Sequence, residues 1–379
     1  CDGLTSIIVD EDNPNYKTID GNLYSKDGKT LLKYAEGTSN TIFEIPAGVT
    51  TMGSFAFADC NRLTSVIIPD SVTIIYDYTF DNCDGLTSII IPDSVTIIRE
   101  FAFRYCDNLT SVTIGSGVTT IVDNAFYQCF GLTSIIVDED NPKYKSIDGN
   151  LYSKDGRELI QYAIGKLNTT FEIPAGVEIV GYDAFAFCDN LTSIIIPDSV
   201  TTISMYAFAH CDSLTSIIVD EDNPNYKSID GNLYSKDGKT LIQYAIGKSD
   251  ATFDIPAGVT TIGEDAFSNC DSLTSIIIPE SVTSVGEFAF RYCDSLTSII
   301  IPESVTTIGK NAFSGCTSLT SVTIGSGVTT IGKQAFYSCN SLTDVYFTGT
   351  EEEWNQIVIG WDNGCLTNAT IHYNYVPEE

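Results

Sequence analysis

Apolar positions along this chain recur on a frame set by cysteine. Three residues before ten of the cysteines stands Phe: Phe57, Phe80, Phe103, Phe126, Phe185, Phe208, Phe267, Phe290, Phe313 and Phe336. The residue before that Phe is Ala everywhere except at Thr79. Three residues after each repeat Cys comes Leu, and six and eight after it come Ile or Val, until Phe347 closes the series. A second apolar pair recurs in mid-unit, as in Val72 with Ile75 and Val305 with Ile308. The frame repeats every 23 residues through Cys60, Cys83, Cys106 and Cys129, and again through Cys270, Cys293, Cys316 and Cys339. From Cys1 to Cys60, Cys129 to Cys188 and Cys211 to Cys270 the step is 59. A fixed period of this size, with apolar residues at fixed offsets, is the signature of a solenoid.

The elements follow from the offsets. L-T-S-I-I-I is short and β-branched, so it reads as a strand. Ile89 and Ile91 then point one way, and Ser88 and Ile90 the other. The Pro that follows in five units (Pro69, Pro92, Pro197, Pro279, Pro302) ends the strand, and Gly115 and Gly325 do so elsewhere. V-T-T-I reads as a second extended piece. The E-D-A-F-S-N-C type of segment is too short for a full helix, and one turn of α or 3₁₀ is expected there. The fold class predicted is an α/β solenoid: stacked short parallel strands with short helical or 3₁₀ turns, three hairpin insertions and a C-terminal cap. No coil can bury its own Phe, Leu and Ile, so the stack must bury them.

The units L-T-S-I-I-I-P-D-S-V-T-I-I and F-A-F-R-Y-C-D-N-L resemble the BspA-like branch of bacterial leucine-rich repeats, in register over essentially the whole chain. The stretch V-Y-F-T-G-T-E-E-E-W, followed by A-T-I-H-Y, is similar to the closing segment of that family. The resemblance implies a secreted or cell-surface bacterial protein, some relatives being adhesins toward host proteins. It brings no catalytic residue with it.

Each long unit adds D-E-D-N-P-N-Y-K-S-I-D-G-N-L-Y-S-K-D-G-K-T-L-I-Q-Y-A-I-G or a close variant. Asp-Gly between N-L-Y-S and T-L-I-Q-Y-A predicts a hairpin. Phe43-Glu44-Ile45-Pro46, Phe171-Glu172-Ile173-Pro174 and Phe253-Asp254-Ile255-Pro256 then restart the strand pattern. Each long unit therefore reads as two coils joined through a protruding hairpin. The organisation expected is one solenoid over 1–341, with long units near 4–62, 132–190 and 214–272, and a cap over 342–379. In that cap Glu351, Glu352 and Glu353 precede Trp354, where a short helix would cover the last sheet edge. Cys1 falls in the repeat register, which favours a fragment of a longer chain over a lipidated N-terminus. No apolar run approaches the length of a membrane span.

Charge narrows the partners. With 19 basic and 50 acidic residues the net charge is −31, which excludes nucleic acid as a natural partner and disfavours adsorption to anionic membranes. Asp70, Asp93, Asp198, Glu280 and Glu303 share one repeat position, and a solvated face is the expected setting. Eleven of the twelve cysteines share one position too, where a small apolar side chain fits inside the stack. Parallel side chains on adjacent coils do not face each other, so free buried thiols are expected rather than disulfides. The environment of Cys365 has no counterpart in the repeat.

No cofactor, metal or enzymatic activity is expected. Asp10-Glu11-Asp12-Asn13, Asp138-Glu139-Asp140-Asn141 and Asp220-Glu221-Asp222-Asn223 gather oxygens, but they lack the loop glycine and terminal glutamate of a calcium loop. Turn formation by Asx residues before Pro accounts for them. His210 and His372 lie in no nucleophile–base motif.

A ligand would have two places to sit. The outward ladder of the long strand reads Ile8, Ile67, Ile90, Thr113, Ile136, Ile195, Ile218, Ile277, Ile300, Thr323, Tyr346. So long an apolar stripe is unusual on a soluble surface. Either a partner lies along it, with Ile90, Ile195, Ile277 and Ile300 as contacts, or hairpins fold over it. The second place is the recurrent tyrosines, Tyr152 and Tyr234 among them. They suit a protein or glycan contact, or else pack each hairpin on its own coil. Two functions stay open: an extracellular binding or adhesion module for a host or matrix protein or a glycan, and a spacer with no ligand of its own.

Overall fold

The computed structural model describes residues 3–377. The chain forms two compact units, one of residues 1–167 with 176–190 and 202–207, the other of 168–175, 191–201 and 208–379.

In the first unit the long strands Ser88–Ile91, Ser111–Ile114 and Ser134–Val137 lie parallel, with Ile90 opposite Thr113 and Thr113 opposite Ile136. The short pieces Thr51–Met52, Ile74–Ile75, Ile97–Ile98 and Thr120–Ile121 form a second parallel row. The second unit repeats the arrangement, as in Ser298–Ile301, Ser321–Ile324 and Asp344–Phe347. A partner 23 residues away in each of these pairings is what the sequence period requires. Both rows are those of the expected solenoid.

Between the rows the core is a set of columns. Phe57, Phe80, Phe103 and Phe126 stack with centroids 5.0–5.5 Å apart; Phe267, Phe290, Phe313 and Phe336 stack at 5.0 Å. That spacing is close to the strand spacing of about 4.8 Å, so backbone pairing and ring stacking are satisfied together. The cysteines form a second column. Cys83, Cys106 and Cys129 each donate S–H to the carbonyl of the Phe 26 residues earlier, at 2.9–3.0 Å. Cys293, Cys316 and Cys339 do the same at 3.0–3.1 Å. The ten described repeat cysteines are buried and in no disulfide, whereas Cys365 is half-buried; Cys1 lies outside the described residues. Burial drives the Cys106 and Cys293 thiols far above their ordinary range, which keeps them protonated and unreactive.

The A-F-x-x-C segment is not the helical turn expected. It is a run of tight turns with two left-handed residues per coil, five and one places before the cysteine. Phe55 and Asp59, Tyr78 and Asn82, and Phe288 and Tyr292 are examples, with φ between 55° and 64°. The reason lies in the hydrogen bonds. Ala56 N–H closes back on Gly53, while the alternate donors, Phe57 and Asp59, bond to Thr79 and Asp81 of the next coil at 2.9 Å. A helix would use those donors internally and leave the neighbouring coil's carbonyls unpaired. Among the described residues the α-helices are Glu351–Trp354 and Gly364–Thr367, both in the closing stretch. The first is held by a capping box, Thr350 Oγ1 accepting from Glu353 N at 3.2 Å and Glu353 Oε2 accepting from Thr350 N at 2.8 Å. Trp354 packs on Phe347 at 5.2 Å.

Each insertion holds the expected hairpin and one more. Tyr16–Ile19 pairs antiparallel with Asn22–Ser25 through the Asp20-Gly21 turn, and Asn22–Ser25 pairs with Thr30–Lys33. Thr30–Lys33 then joins the short-strand row by pairing parallel with Thr51–Met52. The same order recurs at Tyr144–Ile147 and at Tyr226–Ile229. The acidic loops at the bases are Asx turns. Asp138 Oδ1 accepts from Asp140 N, and Asn141 Oδ1 accepts from Lys143 and Tyr144 N. The buried Asn141 amide also donates to the Gly115 and Val118 carbonyls, both at 2.9 Å, tying the hairpin to the coil before it.

Candidate binding surface

The outward side of the long strands carries the ladder that the sequence places there. Within one strand Ile89 and Ile91 are buried while Ser88 and Ile90 are exposed. Ile90, Ile277 and Ile300 are 70%, 58% and 52% exposed, and Ile195 is half-buried. The hairpins therefore do not fold over the ladder as one of the two readings supposed.

They do interrupt it. Ile135 and Ile217, on the last long strand before an insertion, donate N–H to Gly149 and Gly231 at 2.8 Å, the turn glycines of the added hairpins. The edge is closed there, and the ladder begins again at the F-E-I-P or F-D-I-P strand. The stripe is thus three segments. The first runs Glu44, Ile67, Ile90, Thr113, Ile136, with the strand pairing lapsing between Ile67 and Ile90, and the second Glu172, Ile195, Ile218. The third runs Asp254, Ile277, Ile300, Thr323, Tyr346, His372, with the pairing lapsing between Ile277 and Ile300. Each opens on an exposed carboxylate. This acidic head was visible in the sequence, where Glu44, Glu172 and Asp254 stand at the offset that elsewhere holds Ile.

Two borders frame each segment. Along one, Thr64, Thr87, Thr110 and Thr133 donate Oγ1–H to the threonine carbonyl one coil back, at 3.0–3.3 Å. These bonds occupy the hydroxyls and fix their orientation. Along the other, Asp70, Asp93, Asp198, Glu280 and Glu303 are all exposed, as expected. An apolar floor with a carboxylate rim results.

The tyrosines require a correction. Tyr152 and Tyr234 are fully buried and cannot meet a ligand. Both sit on the middle strand of an insertion, where Leu151 and Tyr152, or Leu233 and Tyr234, are covered on both faces. Burial first, with nearby Asp148 or Asp230 adding to it, pushes each hydroxyl up to about 12. Tyr34, Tyr162 and Tyr244 have a structural role that the sequence reading missed. They extend the Phe column into the coil that lacks the A-F-x-x-C segment, stacking on Phe57, Phe185 and Phe267 at 5.3–5.6 Å. The signal was there: each ends L-x-x-Y, the apolar run after the hairpin.

Among the described residues no group of three or more His, Cys, Asp or Glu is placed to hold a metal ion. Nor is any helix long and apolar enough to cross a membrane.

The chain matches the family model of the BspA type leucine rich repeat region over residues 33–155, 162–244 and 243–358. It is similar in fold to a leucine-rich repeat protein of Eubacterium ventriosum, 25% identical, which covers 88% of this chain and 77% of that one with a TM-score of 0.52. A leucine rich cell surface protein of Faecalibacterium prausnitzii is 28% identical over 92% of this chain and 99% of its own, with a TM-score of 0.49. The pneumococcal vaccine antigen PcpA is 21% identical, over 92% of this chain and 89% of its own, with a TM-score of 0.42. A search of curated protein sequences returned no match. With a family model aligned over most of its length and the stacked coils that the model describes, the chain belongs to the BspA type leucine-rich repeat family.

Proposed function

We propose that this protein is a non-enzymatic binding module, secreted or held at the bacterial cell surface, that grips a partner protein along the outward segments of its long-strand sheets. The observation that carries this reading is the exposed Ile ladder between a threonine border and a carboxylate rim. It is apolar and already desolvated on one side, and the same contact recurs coil after coil. A partner lying along it would gain from many weak, similar contacts rather than from one deep anchor. Adhesion to a host or matrix protein, or to a glycan, is the form this takes in our reading.

The test is an array of matrix proteins and glycans probed with the purified chain, followed by titration of any ligand found. Ile195→Asp alone is expected to weaken binding modestly, and Ile195→Asp, Ile277→Asp and Ile300→Asp together to abolish it. Circular dichroism of each variant checks the fold. A ligand that binds the triple variant as it binds the parent removes the outward face from consideration. Absence of any ligand assigns the chain to the spacer role that the uniformity of the ladder also fits.

A further inference from the structure

The third ladder segment differs from the other two in one respect: part of it is already covered by the chain itself. After strand Thr370–His372, which pairs with Asp344–Phe347, the backbone turns at Asn374 with φ 55°. Asn374 and Tyr375 then donate N–H to Gly349 and Phe347, at 2.8 and 3.1 Å. The Tyr375 ring lies 4.6 Å from that of Tyr346, the outward residue of its strand. The cover is measurable in what it hides. Thr323 is buried, whereas Thr113, at the same ladder position in the first unit, is half-exposed. Pro302 is buried, whereas Pro92 is half-exposed.

The segment does not fill the face. It leaves a pocket of about 450 Å³ with Ile300, Pro302 and Thr323 as floor, Tyr375 and Val376 as one wall, and Glu280 and Glu303 on the rim. The Glu303 carboxylate is fixed by Thr348 Oγ1 at 2.8 Å and Ser326 Oγ at 2.9 Å. No Lys or Arg is among the described residues lining the pocket. The volume is that of a small-ligand site. Its chemistry is a largely apolar floor and an aromatic wall beside two carboxylates, which matches an alkyl chain or ring bearing a positive charge.

We propose that this pocket takes the lysine or arginine side chain of an extended, apolar and basic segment of a protein partner, laid on the outward face beside residues 373–377. The inference rests on the reading of that face as a binding surface. Two observations choose the occupant. The chain's own Tyr375, packed on Tyr346, shows that a large side chain from a passing segment seats on this face, while the exposed Val376 leaves the pocket beside it open. The rim carboxylates, with no Lys or Arg among the described residues lining the pocket, supply the charge that such a strip, if basic, would complete.

The experiment is fluorescence anisotropy with a fluorescein-labelled peptide repeating valine, tyrosine and lysine, and with a second peptide carrying glutamate in place of lysine. Because a chain of net charge −31 attracts any cation, the decisive comparison is between two variants that each remove two charges. One is E280Q/E303Q, in the pocket; the other is E139Q/E221Q, at exposed positions on the insertion bases. The expected result is binding of the lysine peptide alone, weakened about tenfold by E280Q/E303Q and left as in the parent by E139Q/E221Q. E280K, which supplies a cation from the chain itself, is expected to abolish it. Equal weakening by the two double variants, or none by either, overturns the pocket. No binding of the lysine peptide by the parent overturns it as well. Neither result touches the wider reading of the face, which stands or falls with the triple Ile→Asp variant and its own ligand.

Discussion

In the first unit the turn edge opens with Phe55, Tyr78 and Phe101, five places before successive cysteines; in the second the same place holds Asp265, Phe288, Asn311 and Gln334. The backbone does not register the difference. All seven residues have φ between 53° and 59°. For a bulky side chain the left-handed region costs roughly 1–2 kcal/mol, and for Asn or Asp less. In the first unit that cost is offset by stacking. Phe55 lies on Tyr78 at 4.8 Å and Tyr78 on Phe101 at 5.2 Å. Arg104, bonded to both oxygens of Asp81 at 2.7 and 3.1 Å, spans the Tyr78 and Tyr105 rings. The second unit uses residues that tolerate the conformation, and its isolated Phe288 is flanked by Arg291 and Lys310 instead. The conformation is therefore imposed by the bonds between coils, and the side chains at this position adapt to it.

If that is right, the cores of the two units must respond alike to the same insult. Phe103→Ala and Phe290→Ala are each expected to cost about 3–5 kcal/mol, since each removes a buried ring from the middle of a stack whose neighbours cannot close the gap. Chemical denaturation monitored by circular dichroism measures both. A loss in one unit and none in the other would break the comparison at its base.

The next largest effect concerns Asp183, at the same turn position where the first unit passes its second insertion. Its half-buried carboxyl lies beside Asn124, Tyr127, Gln161 and Phe187. Burial, with a smaller contribution from Asp123, raises it to about 7 against the pull of its hydrogen bond with Asn124. The folded chain thus holds a proton that the unfolded chain releases near pH 3.8. Its contribution to stability falls as pH rises from there to about 7 and is lost above that. Allowing for solvent screening, Asp183→Asn should be more stable than the parent by about 1–2 kcal/mol at pH 8. The advantage should close by pH 4, and denaturation curves at the two pH values would test it. An advantage independent of pH would assign the effect to packing.

Smaller effects sharpen the edge comparison itself. Phe101→Asn gives up a ring stack for an easier backbone and is expected to cost about 1 kcal/mol. Asn311→Gly, which gives up little and relaxes the backbone further, should change stability by less than about 0.5 kcal/mol. If Phe101→Asn were stabilising, the stack would not be what holds that edge. The smallest effect is on reactivity alone. In native protein a small thiol reagent should modify Cys365 rapidly, and the buried repeat cysteines only on unfolding.

Much of this was legible because a 23-residue period leaves few free choices. Phe103, Cys106, Leu109 and Val112 recur at fixed offsets, and only a stack can bury them all. What was not legible depends on neighbours in space. Nothing local in Phe101-Ala102-Phe103 announces a left-handed residue; the pairing of Phe103 N–H with Ala125 of the next coil decides it. Tyr152 reads as an alternating strand residue with one open face, and only the covering of the insertion on both sides closes that face. The outward Ile ladder was legible as a row, but its breaks were not, because Gly149 reaches Ile135 across a turn.

The two kinds of bond between coils run opposite ways. Strand donors reach back, as Thr87 N–H does to Thr64 and Gly309 N–H to Val285; turn donors reach forward, as Phe80 N–H does to Ala102 and Phe290 N–H to Ala312. A coil therefore presents the same donors and acceptors to the coil before it as its successor presents to it. Excising one whole period, for instance residues 84–106, would bring together two surfaces that already fit. Excising one residue fewer would misplace every contact downstream. Within a run of short coils, this architecture lets a gene change the length of its product by whole repeats while each boundary that remains is one the protein already contains.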